Sequence, residues 1–344
     1  DRAGMGFGAH RRGKLPETGS KAHRAAVTGW AKERRVEEQR GVLGELQMQA
    51  DWMKWDGLMH RDLSWNKLIY RLRGSEVKFL LQGMAGVAPT PAHLRRMGYL
   101  EDDRCPLCHK PRCDLLHVLT YCGVALDQGR YTWRHNEVLR VLHHYIGKAV
   151  RTTKPRRATQ RKMLFVKEGA NLKNYKGREK EPTLLEAATD WRITVDLPAI
   201  TYKFPALAAV TDSRPDLVLG SALEKIIILM ELTVPAERNV QKAYQRKNLR
   251  YDGPDGLASD CRDAGWTVYV FPVEVGTLGF IADSTKRACQ RLGTWSKELQ
   301  TDLEEVALRA SYAIYIERKA PGWSIGGWRV WRPRAAAAAD AAGT

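Results

Sequence analysis

Two acidic residues lie in or beside predicted buried strands, where burial of a carboxylate costs free energy. Glu231 lies in "IIILMELTV" (226–234), whose other residues are apolar or β-branched, and Asp216 opens the short apolar run "DLVL". Both runs have the composition of buried β-strands. An ionised carboxylate that is buried without a partner costs several kcal/mol. We therefore expect each acid to have a partner that makes its position useful.

The segment between the two strands indicates how the acids meet. It reads "GSALEK" (220–225), which is polar and begins with glycine, as is typical of a hairpin loop. If the turn is centred between Leu223 and Glu224, Asp216 lies opposite Glu231. Residues that face each other across two strands point to the same side, with Cβ atoms ~4.5–5.5 Å apart. The two carboxylates are then expected to converge.

A third charged group belongs to the helix predicted downstream, over 237–251. Its inward stripe, at spacings of three and four, consists of Val240, Tyr244, Lys247 and Tyr251. Two close acids cannot both stay ionised in a dry site unless a cation joins them, and Mg²⁺ or Mn²⁺ has the required oxygen preference. Asp216, Glu231 and Lys247 around such an ion would form a phosphodiesterase site. The alternative is a structural Lys247–Glu231 salt bridge with Asp216 as a turn residue.

A second site is predicted from a cluster of cysteines. The spacing C-x2-C-x8-H-x4-C predicts a closed tetrahedral zinc site of structural type, with the ligands Cys105, Cys108, His117 and Cys122. Cys113 and His109 are spare and could replace a ligand. The alternative is a set of reduced cysteines scattered in a basic loop.

The charge of the chain favours a polyanionic partner. Its 344 residues carry a formal net charge of +17, which favours nucleic acid first and an anionic membrane surface second. No apolar run reaches the ~18 residues that a membrane span requires, so we expect no membrane partner. A basic stretch is predicted to contact phosphates, through Arg151, Lys154, Arg156, Arg157, Arg161 and Lys162.

The hydrophobic patterns predict an α/β (α+β) protein with a helical N-terminal region. The strand-like segments are 191–197, 215–219, 225–234 and 266–275, interleaved with helices near 237–251, 284–292 and 297–318. We expect a basic, mostly disordered 1–42 with a helix near 25–39, a helical 43–147 with the zinc knuckle at 105–122, a basic linker at 148–170, an α/β domain at 171–320 and a flexible tail at 321–344.

Several longer sequence motifs resemble those of a known protein family. The segments "RPDLVL", "MELTVPAE", "AYQRKNLRYDG" and "GWTVYVFPVEVGTLGF" occur in this order. They resemble the C-terminal restriction-like endonuclease of non-LTR retrotransposon (LINE) polyproteins. The upstream stretch "APTPAHLRRMGYLEDDRCPLCH" resembles the segment that follows the reverse transcriptase thumb in the same polyproteins and carries a CCHC zinc knuckle. The resemblance covers roughly 60–290.

The resemblance implies a PD-(D/E)xK nuclease fold, in which a small mixed sheet is flanked by helices. It implies Mg²⁺-dependent nicking of target DNA, whose free 3′ end primes reverse transcription in the full element. Asp216 matches the acid of the PD pair and Glu231 the second acid. Lys247 matches a lysine displaced onto the following helix, because Thr233 occupies the standard lysine position. Target DNA, element RNA and a reverse transcriptase module are the implied partners, and a nuclear location is expected.

Four further residues are expected to support this site. Arg214 could help hold the scissile phosphate, and Tyr251 follows Lys247 by one helical turn. Glu274 is expected either to contact the site or Lys247, or to be a plain strand-end carboxylate. Glu186 could be the additional helix acid that some nucleases of this fold use as a metal ligand.

Three departures from the family are visible, and one is a Cys108–His117 gap that is one residue longer than expected. "VPAE" stands where the family usually has "VPWE", so Ala236 replaces a large aromatic residue. The sequence contains no "YADD"-like aspartate pair, so the chain cannot copy RNA by itself. The competing functional interpretations are a catalytically inert nucleic-acid-binding remnant and a functionless relic.

Overall fold

The structure is a computed structural model. It describes residues 18–46, 55–58, 66–155, 182–198 and 202–324, together with the single positions 49, 52, 200 and 331. The described part of the chain is a mixed α/β protein. None of its helices combines the length and the apolar character that crossing a bilayer requires.

Helices make up the N-terminal region. They are α1 (Lys21–Glu45), α2 (Asn66–Ile69), α3 (Gly74–Met84), α4 (Pro91–Arg96), a π-helical turn (His117–Tyr121), α5 (Gly123–Asp127) and α6 (Arg130–Thr152). Helix α1 contains the helix predicted at 25–39 and is longer at both ends. Helix α6 buries Val138, Leu142 and Ile146, spaced by one helical turn, on its inner face.

The first residues of the predicted basic linker, 148–152, belong to α6, which continues to Thr152. Basic residues are good helix formers, so positive charge alone does not end a helix that is anchored by its buried face. Thr153–Pro155 then leave the helix. The rest of the predicted linker, from residue 156 onwards, lies outside the described residues.

Four strands form one mixed sheet, in the order β1 (Arg192–Val195), β2 (Leu217–Ser221), β3 (Ile226–Thr233) and β4 (Thr267–Glu274). The β1–β2 and β2–β3 pairs are antiparallel, whereas β3 and β4 are parallel. A parallel pair requires a long crossover, and α7 (Val240–Asp252) and α8 (Leu257–Asp263) supply it. Helices α9 (Asp283–Leu292) and α10 (Lys297–Ile316) follow the last strand.

The β2–β3 hairpin has the register predicted from the sequence. Leu217 faces Met230 and Ser221 faces Ile226, so the turn is centred between Leu223 and Glu224. Asp190 stabilises this turn because its carboxylate accepts hydrogen bonds from the Ala222 and Leu223 N–H groups, at 2.9 and 3.0 Å. A register shift by one residue would move every side chain to the opposite face of the sheet.

The two faces of the sheet belong to separate cores. On one face, Leu219 and Ile228 join a cluster that also contains Leu139 and Leu142 of α6, as well as α10 residues. On the other face, Ile227 packs with a smaller cluster below α7 and α8. The larger core is therefore shared by the helical N-terminal region and the sheet, which places α6 against the strands that carry the acids.

Buried carboxyl groups give the fold a testable pH dependence. Glu304 of α10 is 7% exposed, and burial raises its pKa to about 7, partly offset by a hydrogen bond from Gln300. Burial has the same effect on Glu237 and Glu274, whose pKa values also rise to about 7. The folded state therefore holds more protons than the unfolded state between pH ~4.5 and ~7, and stability falls as the pH rises through this window.

Glu304→Gln is expected to flatten this dependence. The amide cannot ionise. Between pH 4.5 and 8 the free energy of unfolding should therefore fall by about 2–3 kcal/mol less in the variant than in the wild type. Denaturant unfolding at several pH values measures the difference. Glu224→Gln, at an exposed turn position, is the control and should follow the wild-type profile. Identical profiles for Glu304→Gln and the wild type would contradict the assignment of the buried acid.

Candidate active site and metal centre

The β2–β3 hairpin brings Asp216 and Glu231 together. Asp216 immediately precedes β2, and the register places it opposite Glu231. Its N–H donates to Glu231 Oε2 at 3.2 Å, while the Leu232 N–H donates to Asp216 Oδ2 at 2.7 Å. The two carboxylates thus occupy the same side of the hairpin and share a hydrogen-bond network, as the predicted register required.

Helix α7 adds Lys247 and Tyr251 to this cluster. The Lys247 ammonium lies 2.5 Å from Glu231 Oε1, and the two side chains are only 16% and 7% exposed. The Tyr251 hydroxyl is near enough to Glu231 to lower the pKa of this acid. The inward stripe predicted from helical spacing therefore has the predicted orientation. The Lys247–Glu231 ion pair is equally what a structural salt bridge would show, so it is the proximity of Asp216 that distinguishes the two interpretations.

The electrostatics of the acid pair favour a cation. Burial raises the pKa of Glu231, and the nearby charge of Asp216 raises it further, whereas Lys247 and Tyr251 act in the opposite direction. Within the described part of the chain, Asp216 Oδ1 accepts no hydrogen bond, while Oδ2 has two partners, the Leu232 N–H and His135 Nε2. An additional cation at this cluster would relieve the mutual repulsion of the two acids.

His135 was not predicted as a site residue from the sequence. This residue of α6 places Nε2 at 3.2 Å from Asp216 Oδ2, and its Nδ1 lies 3.2 Å from Asn136 Oδ1. Burial lowers the pKa of His135, but the hydrogen bond and the charge of Asp216 outweigh burial and raise the pKa above its ordinary value. No local motif marks this histidine, because the contact depends on how α6 docks onto the sheet.

Tyr202 was also missed. Its hydroxyl is buried and has no hydrogen-bond partner within the described structure. Burial raises the pKa of Tyr202, and the charges of Asp196, Glu231 and Asp216 contribute in the same direction. Because the charges of all three carboxylates affect its pKa, the Tyr202 hydroxyl lies near the acid cluster.

The four supporting residues have different environments. Tyr251 contacts Glu231, as described above. Arg214 lies over the ring of Tyr202, 5.5 Å from its centroid, and donates to Asp196 Oδ1 at 2.7 Å. Its guanidinium therefore already has a carboxylate partner beside the candidate site.

Glu274 and Glu186 differ in burial and in their relation to the acid cluster. Glu274 is fully buried, its Oε2 accepts a hydrogen bond from Ser284, and its Oε1 has no partner among the described residues. Burial raises its pKa to about 7, and the charge of Lys247 is among the influences that oppose this rise. Glu186 lies in a partly exposed 3₁₀ turn (Leu184–Ala187) and makes no hydrogen bond to the acid cluster in the described region.

The predicted zinc ligands form one cluster. The ligand atoms of Cys105, Cys108, His117 and Cys122 all lie within 4.8 Å of one another. The Cys105 and Cys122 sulfurs are 3.9 Å apart, and the Cys108 sulfur lies 3.3 Å from His117 Nε2. These four residues can hold a metal ion. The spare residue Cys113 is buried nearby but lies outside this four-ligand set.

Helix α6 braces the cysteine segment. The Tyr131 hydroxyl donates to the Val118 carbonyl at 2.9 Å and accepts from the Cys122 N–H at 3.1 Å. Because Tyr131 and His135 are one helical turn apart, the same helix contacts the cysteine cluster at one residue and the acid cluster at the other.

The predicted phosphate-binding stretch is only partly described. Arg151 is exposed in the last turn of α6, and Lys154 is exposed just after it. Both are available to a polyanion. Arg156, Arg157, Arg161 and Lys162 lie outside the described residues.

A cavity of about 260 Å³ lies between residues of α3, α4 and the π-helical turn and the segments that follow β3 and β4. Ala236 lines it together with Met84, Leu119 and Leu278. None of the three predicted catalytic residues lines this space. The cavity is therefore distinct from the acid cluster.

Neither a protein-family model nor a curated protein matches the sequence of this chain. We therefore infer function from the side chains themselves.

Proposed function

We propose that this chain is the C-terminal region of a non-LTR retrotransposon polyprotein and that Asp216, Glu231 and Lys247 form a DNA-nicking site of the PD-(D/E)xK type. The observation that carries the proposal is the meeting of these three residues, from the residue before β2, from β3 and from α7, in one largely buried cluster. A purely structural salt bridge needs only Lys247 and Glu231. That ion pair does not require Asp216, whose charge adds to the cost of burying Glu231.

The sheet supports the same proposal. Its order of two antiparallel pairs and one parallel pair, with α7 in the crossover, matches the small mixed sheet implied by the resemblance. The lysine comes from the helix that follows the second acid, and β3 and α7 place it within hydrogen-bond distance of that acid. Thr233 at the usual lysine position therefore does not leave the site without a cation.

The residues present fit a divalent cation. Asp216 and Glu231 offer hard oxygen ligands, which Mg²⁺ and Mn²⁺ prefer. Such an ion would activate a water molecule and polarise the scissile phosphate. Lys247, 2.5 Å from Glu231, is placed to orient that acid and to neutralise charge that develops on the phosphate. Leu232 N–H and Asp216 N–H hold the two carboxylates in fixed orientations.

We also propose that the cysteine cluster binds a structural zinc ion. Three thiolates and one imidazole are typical zinc ligands, and four of them leave no open position for catalysis. Burial raises the pKa of Cys122 to about 11. Metal binding would therefore release a proton from this thiol and make affinity depend on pH.

The second candidate function is non-catalytic nucleic-acid binding. It is favoured by the formal net charge of +17 and by the Lys247 ammonium, which is already satisfied by Glu231. In this proposal the exposed Arg151 and Lys154 contact phosphates, and the acid cluster only stabilises the fold. In either case the partners would be target DNA and element RNA in the nucleus, with polymerisation supplied by a reverse transcriptase module elsewhere in the element.

A nicking assay on supercoiled plasmid with Mg²⁺ separates the two candidates. Asp216→Asn is expected to slow nicking by at least about 10³-fold, an effect of the size seen when a principal catalytic group is removed. The amide still offers an oxygen to the Leu232 N–H, so folding should be retained and thermal unfolding can verify it. Binding to DNA should change little.

Asp212→Asn is the matched control, because Asp212 is exposed and lies just upstream of Asp216. It should nick at the wild-type rate. Equal nicking by the wild type and Asp216→Asn would refute the role of Asp216. A wild-type protein that binds DNA with a steep salt dependence but never nicks it would favour the binding function.

A further inference from the structure

His135 connects the helical N-terminal region to the first acid of the candidate site. Its imidazole Nε2 lies 3.2 Å from Asp216 Oδ2, and the side chains of the two residues are 23% and 14% exposed. The Asn136 amide oxygen lies 3.2 Å from the other ring nitrogen, Nδ1. Asn136 is itself buried, so the imidazole is held from both sides.

The contact selects one oxygen of the Asp216 carboxylate. Oδ2 accepts the Leu232 N–H at 2.7 Å and also faces His135. Two partners on the same oxygen restrict rotation of the carboxylate. Within the described structure, Oδ1 accepts no hydrogen bond. A carboxylate that must present one oxygen to a cation is commonly held in this way through the other.

Docking of α6 does not depend on His135 alone. The neighbouring Arg134 donates to the Val234 carbonyl at 3.2 Å and to the Ser311 hydroxyl at 3.3 Å, and it is almost completely buried. Apolar residues of α6 enter the core shared with the sheet. A further polar contact at the acid cluster is therefore not needed to attach the helix, which favours a role at the site.

We propose that His135 is a positioning residue that orients Asp216 for cation binding, so that the site is completed by the helical region and does not belong to the α/β domain alone. This inference rests on the proposed nuclease function. It assigns to α6 the task of holding the first acid, while α7 holds the second through Lys247 and Tyr251. Each acid thus has its own supporting helix.

The test compares His135→Ala with His135→Gln in the full chain. The alanine variant leaves Oδ2 with the Leu232 N–H only, and we expect nicking to fall 10- to 100-fold and the Mg²⁺ concentration for half-maximal nicking to rise, as for other residues that orient metal ligands. A glutamine side chain can donate an N–H to Asp216 and should restore most of the activity. His143→Ala, on the same helix and partly buried, is the matched control and should resemble the wild type.

A second readout does not depend on nicking. Electron paramagnetic resonance of Mn²⁺ measures free and bound ion directly, and the site-specific share is the binding that Asp216→Asn removes. His135→Ala should weaken this binding about 10-fold or more, with recovery in His135→Gln. Thermal unfolding of each variant shows whether any loss follows from a destabilised fold.

The outcomes distinguish the two proposals. Mn²⁺ binding that depends on Asp216 and His135, without nicking, would support the positioning role and contradict the nuclease function. Normal nicking, Mg²⁺ dependence and Mn²⁺ affinity in His135→Ala would overturn the positioning role and leave the nuclease function intact. Equal impairment of the alanine and glutamine variants, accompanied by a lowered melting temperature, would assign His135 to the fold only and would also overturn the inference. A wild type that neither nicks nor binds Mn²⁺ through Asp216 would overturn both.

Discussion

Lys247→Met is expected to destabilise the protein by about 3–5 kcal/mol at pH 8 and to abolish nicking. The Glu231 side chain is 7% exposed and its Oε1 accepts from the Lys247 ammonium at 2.5 Å. Removing one partner of a buried ion pair leaves the other charge uncompensated, which is strongly destabilising. Methionine keeps most of the length and apolar volume of the lysine, so the expected loss comes from the charge and not from a cavity.

The pH dependence of this loss identifies its cause. Burial already raises the pKa of Glu231, and removal of the ammonium should raise it further. A raised carboxyl pKa means that the folded state holds the extra proton, so the stability of Lys247→Met should fall as the pH rises from about 4.5. The defect should be small at pH 4.5 and large at pH 8. Lys242→Met, at an exposed position of the same helix, should show neither effect.

A double variant separates the structural role of the pair from its catalytic role. Lys247→Met combined with Glu231→Gln removes both charges, so most of the stability lost in the single variant should return. Nicking should remain absent, because the second acid and the lysine are both missing. Recovery of stability together with nicking would contradict the assignment of these residues to the chemistry. Unchanged stability of Lys247→Met at pH 8 would show that the pair is not buried as described.

Contacts between residues that are close in sequence, or that follow from helical periodicity, were predictable. The opposition of Asp216 and Glu231 follows from a polar turn between two apolar runs, and Asp190 holds the turn at the expected register. The position of Lys247 follows from helical spacing along α7. The cysteine cluster could be predicted because a short loop brings all four ligands together.

Contacts that depend on docking between distant segments were not predictable. His135 reaches Asp216 only because apolar residues of α6 pack into the core shared with the sheet. Nothing in the local sequence distinguishes it from His143 or His144 on the same helix. Tyr202 lies in an irregular segment before β2, where no periodicity indicates the direction of a side chain. The predicted role of Glu186 assumed a helix facing the acids, whereas the structure has a short 3₁₀ turn.

Helix α6 links the two clusters. Near its start, Tyr131 contacts the backbone around Cys122, and one turn later Arg134 and His135 contact Val234 and Asp216. The candidate zinc ion would therefore stabilise the segment against which α6 begins. We expect loss of that ion to change the orientation of α6 and thereby the contact of His135 with Asp216.

Cys108→Ser is expected to remove the zinc ion and to unfold the segment between residues 105 and 122. Structural zinc contributes roughly 10–16 kcal/mol of apparent binding free energy in small domains, which is more than the burial of Val118 and Leu119 in the larger core can replace. The larger core contains residues of α6, α10 and the sheet and should keep the remaining fold. Nicking should also decline, because the first turns of α6 would lose the contact that Tyr131 makes with the cysteine segment. His135, one turn further along, would then be held less firmly against Asp216.

Metal analysis, limited proteolysis and nicking measure the three consequences separately. The variant should contain less than one zinc ion per chain, be cleaved near the cysteine segment and nick more slowly than the wild type. Cys113→Ser is the matched control, because Cys113 is buried in the same segment but lies outside the four-ligand set. It should retain zinc and activity. If Cys113→Ser loses the ion while Cys108→Ser retains it, the ligand set is wrong. If Cys108→Ser loses the ion yet nicks normally, α6 does not couple the two clusters.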